Sequence, residues 1–313
     1  MSATPLSGTQ HVLRAGALEA VVASVGASLR SYTADGRHLT VPYEADEVRL
    51  SYRGATLAPW PNRVVDGKYT FAGEEFQVAL TEPARGHALH GLSSWLDYEA
   101  VETADDRVVL RAVIQPQTGY PWRVAVTTTF ALDADGITQT VVAENLSDTA
   151  APWGTAAHPY LVAGDGVVDD WYLELPADRV LEVTPDRLIP TELVGVDAHD
   201  PERFDFRIRR QIGPTELDHA YTGLRRTGAV TEVRVTDASG RGVAISWDGA
   251  CPWVQVHTSD KPGKPGHRAG MAIEPMTCAP DAFNDATYPF DTGLIVLEPG
   301  APATASWSIR PLG

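Results

Sequence analysis

The feature that most constrains this chain is a hydrophobic period of two that recurs along most of its length. Arg107–Gln115 (RVVLRAVIQ), Arg123–Leu132 (RVAVTTTFAL) and Ile137–Leu146 (ITQTVVAENL) are rich in Val, Ile and Thr, with Asp133, Asp135 and Gly136 as turn residues. Successive side chains of a strand face opposite ways, so such alternation places one face in a core and the other in solvent or under a second sheet. Thr231–Thr236, Gly242–Trp247, Trp253–Thr258, Gly293–Leu297 and Ala303–Ile309 read the same way. Long helical periods are scarce, and 27 Gly and 23 Pro break the chain into short runs. No Rossmann-type glycine fingerprint or phosphate-binding loop is present, which argues against a βαβ fold. The pattern predicts an all-β fold, an antiparallel sandwich or barrel, in a single domain over residues 1–313. Pro185–Phe206, polar and turn-rich, predicts a long loop.

Charge narrows the partners. Lys and Arg number 25 against 41 Asp and Glu, a formal net charge of −16, while 43% apolar residues exclude general disorder. A field of that sign repels phosphate backbones and anionic lipid, so neither nucleic acid nor a membrane is expected as a partner. Cys251 and Cys278 are too few for a disulfide framework. No apolar run approaches the roughly 18 residues needed to cross a bilayer, and the first residues lack a leader pattern. These features predict a cytoplasmic protein, a monomer or homodimer.

Five segments interrupt the alternation with polar residues set among glycine, proline and aromatics. In Ala58–Val64 (APWPNRV) two prolines fix the chain around Trp60 and present Asn62 and Arg63. The Arg fork suits carboxylates or clustered hydroxyls, although it can equally tie down its own loop. His87–Trp95 (HALHGLSSW) offers His90 before a permissive Gly91, with His87 as its structural neighbour. In Ala156–Leu161 (AAHPYL), Pro159 biases His158 toward an extended conformation, and Tyr160 then falls on the same side. Imidazole titrates near neutrality and can give up and recover a proton within one turnover. Glu216–Tyr221 (ELDHAY) offers Asp218 or His219 to a ligand, against the plain alternative of a solvated loop charge. In Ala272–Asn284 (AIEPMTCAPDAFN), Glu274 sits in apolar surroundings that raise a carboxyl pKa and suit it to act as a base, unless it forms a structural ion pair.

Taken in this order, the five segments resemble the aldose 1-epimerase (galactose mutarotase) family over nearly the whole chain. PNRVVDGKYTFAGEEFQV (Pro61–Val78) is similar to the family's Asn-Arg segment and the Gly-x-[FY]-x-[FY]-x-Gly that follows it. HALHG, HPY, LDHAY and IEPMTCAPDAFN are similar to its Leu-His-Gly, second-histidine, aspartate and glutamate segments. The resemblance implies a large antiparallel β-sandwich (a supersandwich) with a sugar groove across one sheet. It implies interconversion of the α and β anomers of a free aldose without metal or organic cofactor. It further implies Glu274 as general base, His158 as general acid and His90 as an assisting donor. Arg63 and Asp218 are implied to orient the substrate, with Asn62 in the same segment. Met276 stands where many members carry Gln, so a contact made by that Gln side chain is not carried over.

Neutral galactose or glucose is the first expectation for the substrate. A phosphorylated or sulfonated hexose would require cations near the sixth carbon; arginines are plentiful at 22 beside three lysines, Lys68, Lys261 and Lys264, but the resemblance already gives Arg63 another role. Two other classes remain open on the residues: a non-catalytic sugar-binding sandwich, and a metalloenzyme using His87, His90, His158 and a carboxylate. Trp60, Trp95 and Tyr160 are the aromatic candidates for stacking on the sugar.

Overall fold

A computed structural model describes residues 4–313. The alternating segments pair with their neighbours in sequence, because a short turn between two such runs makes an antiparallel hairpin the nearest partner. Arg107–Ile114, Val124–Leu132 and Ile137–Asn145 are consecutive strands of a nine-stranded sheet, and the C-terminal strand Pro302–Leu312 lies at its centre beside Ile137–Asn145. Gly242–Trp247 and Thr231–Thr236 continue it on the far side of that strand. The strand limits match the alternation to within a few residues. Gly293–Leu297 is shorter than expected, starting at Ile295, because Gly293 has φ +75° and its N–H is taken by the Asp291 side chain.

The second large sheet has eight strands. Its order runs Pro190–Gly195, Ala177–Val183, Asp218–Leu224, Trp253–His257, Met271–Met276, Ala156–Ala157 and Thr56–Leu57, with Tyr160–Leu161 also paired to Met271–Met276. The inward side chains of the two sheets meet in one apolar core: Val126, Phe130 and Val141 from one, Tyr221, Val254 and Ile273 from the other. A four-stranded sheet, Gln10–Ala15 through Arg37–His38, contributes Leu13, Val22 and Tyr32 to the same core. The fold is therefore the large antiparallel sandwich that the period of two demands. Among the described residues, helix is confined to Pro201–Phe204 and two short 3-10 segments.

Pro185–Phe206 corrects the expected long loop. Pro190–Gly195 is an edge strand on Ala177–Val183, and Pro201–Phe204 is one helical turn whose N-terminus is capped by Asp200 accepting from the Arg203 N–H. An edge strand needs only part of its length buried, so Val194 alone enters the main core while Thr191 and Glu192 stay in solvent. That sparse apolar content hid the strand.

In Met271–Met276 every residue is buried. Met271 and Ile273 point into the main core, whereas Met276 belongs to a second, smaller apolar cluster with Ala156, Ala220 and Trp253 on the opposite face of the sheet. Glu274 shares that second face, by the alternation of the strand. The sheet thus supplies a rigid floor, and loops wall it in.

Candidate active site

Strand register brings the acidic groups together. Gln255 is the cross-strand partner of Glu274, and Asp218 that of His257. Gln255 and His257, two apart on one strand, face the same side. His158 and Tyr160 reach that side from the short bridged segment next to Met271–Met276, and their rings stack 5.0 Å apart. The result is a cavity of about 360 Å³, into which Glu274, His158, His90, Asp218, Arg63 and Asn62 all converge. These are six residues from five separate stretches of chain. A larger groove, about 1120 Å³, lies between Pro201 and Arg225; its Arg207 is committed to Asp205 and Asp197, and it holds no carboxylate–imidazole pair.

Arg63–Val65 and His87–Leu89 pair antiparallel, which sets the Asn-Arg segment beside the Leu-His-Gly segment. Beyond the paired residues, Asn62 and His90 both take left-handed conformations, with φ of +53° and +61°. They hold each other: the His90 N–H donates to the Asn62 carbonyl at 2.8 Å, and the Asn62 N–H donates to His90 Nδ1 at 3.1 Å. That second bond makes Nδ1 an acceptor, so the ring proton lies on Nε2. Burial and the nearby His158 and Arg63 drive the His90 pKa well below its ordinary value. His90 is consequently a neutral ring with one N–H to offer the cavity.

Gly91 is what permits this turn. It has φ +70°, and a Cβ there would be driven into the Ala58 carbonyl, which already accepts the N–H groups of Leu92 and Ser93 at 2.7 and 2.9 Å. Gly91→Ala is expected to cost about 2–3 kcal/mol, combining steric overlap with the left-handed penalty. Denaturant unfolding measures it, and a cost under about 0.5 kcal/mol, the range of ordinary surface substitutions, would show that the turn relaxes freely.

Arg63 serves both readings open in the sequence. Its guanidinium donates to Glu82 at 2.8 and 3.1 Å and to Asn62 Oδ1 at 3.3 Å, and it lies 3.7 Å from Asp218. Burial by itself lowers the Arg63 pKa, but Asp218 and Glu82 outweigh it and hold the charge firmly. Asp218 accepts from Gln255 at 2.7 Å. Burial would raise its carboxyl, yet His257, Arg63 and that hydrogen bond keep it below the usual range, so it is ionised. Asp218 Oδ1 and Oδ2 thereby become fixed acceptors on the cavity wall.

Glu274 is under opposite influences. It is 1% exposed, and burial, reinforced by the negative charge of Asp218, pushes its pKa well above the carboxylate range, with Arg63 opposing. One of its oxygens is 3.4 Å from His158 Nε2, and the other has no protein partner. Burial pulls His158 down to about 3, with the neighbouring His257 and Lys261 adding to the fall. Gln255 Oε1 and His158 Nδ1 are also buried without partners. Orphaned polar atoms cost roughly 1–3 kcal/mol each, and a ligand rich in hydroxyls bound in this cavity would give these three the partners they lack.

Several sequence expectations are corrected. His87 does not join His90 and His158: its Nδ1 accepts from the Asp66 N–H and its Nε2 bonds the Arg187 carbonyl, so both ring nitrogens are engaged in holding loops. The metalloenzyme reading loses a ligand, and among the described residues no three His, Cys, Asp or Glu side chains are grouped to hold a metal ion. His219 turns away from the Glu274–His158 pair; its ring packs edge-on against Phe204 and its Nδ1 accepts the Asp218 N–H. Trp60 lies in the core, edge-on to Phe283 and donating to the Ala88 carbonyl. Trp95 is 53% exposed beneath the Arg49 guanidinium and outside the cavity. Tyr160 lines the cavity as expected, and Tyr52, edge-on to His90 and stacked on His158, is an aromatic the sequence did not single out. Glu82, Gln255, His257 and Lys261 were likewise missed. Glu82 alone carried a local signal, lying five residues before His87 on the same turn.

A buried carboxyl facing a buried imidazole, ringed by fixed donors and acceptors, has the chemistry to exchange protons with a ligand rich in hydroxyls. A family model described as Aldose 1-epimerase matches residues 9–310, and the chain belongs to that family. It is 33% identical over 297 residues to a protein of Escherichia coli K12 described as "Uncharacterized protein YihR", covering 95% of this chain and 91% of the relative. Among solved structures, the GalM/aldose epimerase homologue from C. elegans superposes with a TM-score of 0.83 at 21% identity, covering 97% of this chain and 98% of that one. A galactose 1-epimerase from Lactobacillus acidophilus gives 0.79 at 17% identity, covering 96% and 93%. At those identities the likeness speaks for the fold alone. Among the described residues, no helix is long and apolar enough to cross a membrane.

Proposed function

We propose that the protein, as one domain over residues 1–313, is an aldose 1-epimerase that interconverts the α and β anomers of a free hexopyranose of the galactose or glucose type. The observation that carries this reading is the Glu274–His158 pair, 3.4 Å apart, with an unpartnered carboxylate oxygen on one and an unpartnered ring nitrogen on the other. Anomer exchange needs a proton removed from the anomeric hydroxyl and another given to the ring oxygen, two atoms bonded to the same carbon. A carboxylate and an imidazolium side by side match that demand.

One proton shared by the pair runs the cycle. Glu274, as carboxylate, takes the anomeric proton while His158, as imidazolium, protonates the ring oxygen, and the bond from that oxygen to the anomeric carbon breaks. The products are an open-chain aldehyde, a carboxylic acid and a neutral imidazole. Both side chains then stand in the uncharged forms that burial favours. Rotation about the bond from the anomeric carbon to its neighbour presents the other aldehyde face. Reclosure returns both protons, and no electron leaves the sugar. His90 donates from Nε2 to the reacting oxygens, while Arg63 and Asp218, steadied by Asn62 and Gln255, orient the remaining hydroxyls.

Optical rotation of freshly dissolved α-glucose or α-galactose tests the reading. The expected result is approach to the equilibrium rotation at a rate proportional to enzyme concentration. Binding of hexoses with no acceleration over buffer, for these sugars and for those charged at the sixth carbon alike, would leave a sugar-binding protein and sink the epimerase.

A further inference from the structure

The mouth of the cavity carries positive charge that the reaction above does not use. Two of the three lysines of a chain with net charge −16, Lys261 and Lys264, line it. Arg53 adds positive charge beside them without lining the cavity: its guanidinium packs against Gly266, in the loop that carries Lys261 and Lys264, and donates to the Pro42 carbonyl at 3.4 Å. The carboxylates nearby are committed elsewhere. Asp260, adjacent to Lys261, serves Arg268 and the Thr258 hydroxyl, and Asp218 serves Gln255 and Arg63. Among the described residues no Asp or Glu forms an ion pair with Arg53, Lys261 or Lys264. Lys261 is half-buried, held only by the Ser51 hydroxyl, and burial with the charge of Arg53 pulls its pKa down. Three cations with no ion-pair partner repel one another, Asp218 offsetting this only in part, and half-burying Lys261 adds a desolvation cost. An anion supplied by the ligand removes both penalties.

The position of Lys261 says where on the sugar that anion sits. Its Nζ lies 5.9 Å from the centre of the Tyr160 ring, and that ring stacks on His158. His158 addresses the ring oxygen. In a hexopyranose the ring oxygen is bonded to the carbon that carries the exocyclic sixth carbon, so a substituent there emerges on the His158 side. We infer that the hexose taken by this site bears an anionic group on its sixth carbon, a phosphate, sulfonate or carboxylate, bound by Lys261 and Lys264, with the charge of Arg53 reinforcing them. The inference rests on the epimerase reading for the orientation of the sugar.

The test compares anomer exchange of glucose, glucose 6-phosphate, 6-deoxy-6-sulfoglucose and glucuronate by NMR exchange spectroscopy, with binding measured in parallel by calorimetry. At least one anionic sugar should show kcat/KM ten or more times that of glucose, with the advantage shrinking as salt rises. Which one does so tells phosphate from sulfonate from carboxylate. Lys261→Met should lower kcat/KM for the anionic sugar at least tenfold more than for glucose, and the exposed Lys264→Gln, which threatens folding least, should shift the ratio in the same direction. Glucose turned over as well as every anionic sugar, or both classes falling equally in the variants, overturns the inference and leaves the epimerase standing. Tight, Lys261-dependent binding of an anionic sugar without exchange of any sugar does the reverse: the anion site stands and the epimerase falls. No preference in either rate or binding removes the anion site.

Discussion

Glu274→Gln is expected to lower catalysed mutarotation by about 10²–10⁴-fold while leaving the sandwich folded. The amide has the shape of the carboxyl and keeps an oxygen acceptor, but it cannot take the anomeric proton. A second, less obvious result accompanies the loss of rate. Glu274 is buried with a pKa well above the ordinary value. Between the unfolded carboxyl pKa of about 4.3 and the raised native one, the native state holds more protons than the unfolded state. Stability therefore falls as pH rises through that window, and a neutral amide escapes the fall. The variant should melt at or above the wild-type temperature at pH 8, with the gap closing toward pH 4. A wild-type rate removes Glu274 as the base. A gap that widens toward pH 4 shows that the native state favours the ionised carboxylate.

The same opposition between activity and stability explains which parts of the site were legible in the sequence. Glu274 and His158 stood out because their local contexts are anomalous: a carboxylate between Ile273 and Pro275, and an imidazole locked before Pro159. Such departures from strand alternation persist where function outweighs packing. The sandwich was legible because Val124–Leu132 and Ile137–Asn145 repeat buried and half-buried positions over nine residues each. Gln255, His257 and Lys261 were not, since on their own strand and loop they are ordinary polar residues. Only the register with Asp218 and Glu274 brings them to the cavity. Trp60 misled for the converse reason: Asn62 and Arg63 of its own segment line the cavity, but its ring turns inward to Phe283. Local sequence carries residue chemistry and strand period, whereas cross-strand partnership depends on which strands the topology makes neighbours.

His158→Asn separates the acid from the donors around it. His90 stands beside His158, with ring centres 5.0 Å apart, and is the obvious substitute. It is a poor one. With Nδ1 occupied by the Asn62 N–H, His90 holds its single proton on Nε2, and surrendering that proton would leave an imidazolate. It stabilises an oxygen by hydrogen bonding but does not protonate it. Turnover of His158→Asn is therefore expected to fall at least 100-fold with KM changed only a few-fold, since the Asn amide still offers a hydrogen bond to the ring oxygen. The pH profile gives the sharper signature. In the wild type the pair works only while it holds one proton, so the rate falls on the acid side as a second proton is added, and on the alkaline side as the last is lost. The acid limb lies low, because burial holds His158 down to about 3, and the alkaline limb follows the raised Glu274. Without the imidazole, residual activity depends on ionised Glu274 alone and should rise with pH to a plateau, with no alkaline fall. A variant that keeps the full bell-shaped profile, or wild-type turnover, shows that the ring oxygen takes its proton from another group, with Tyr160 the nearest remaining hydroxyl-bearing ring stacked on this position.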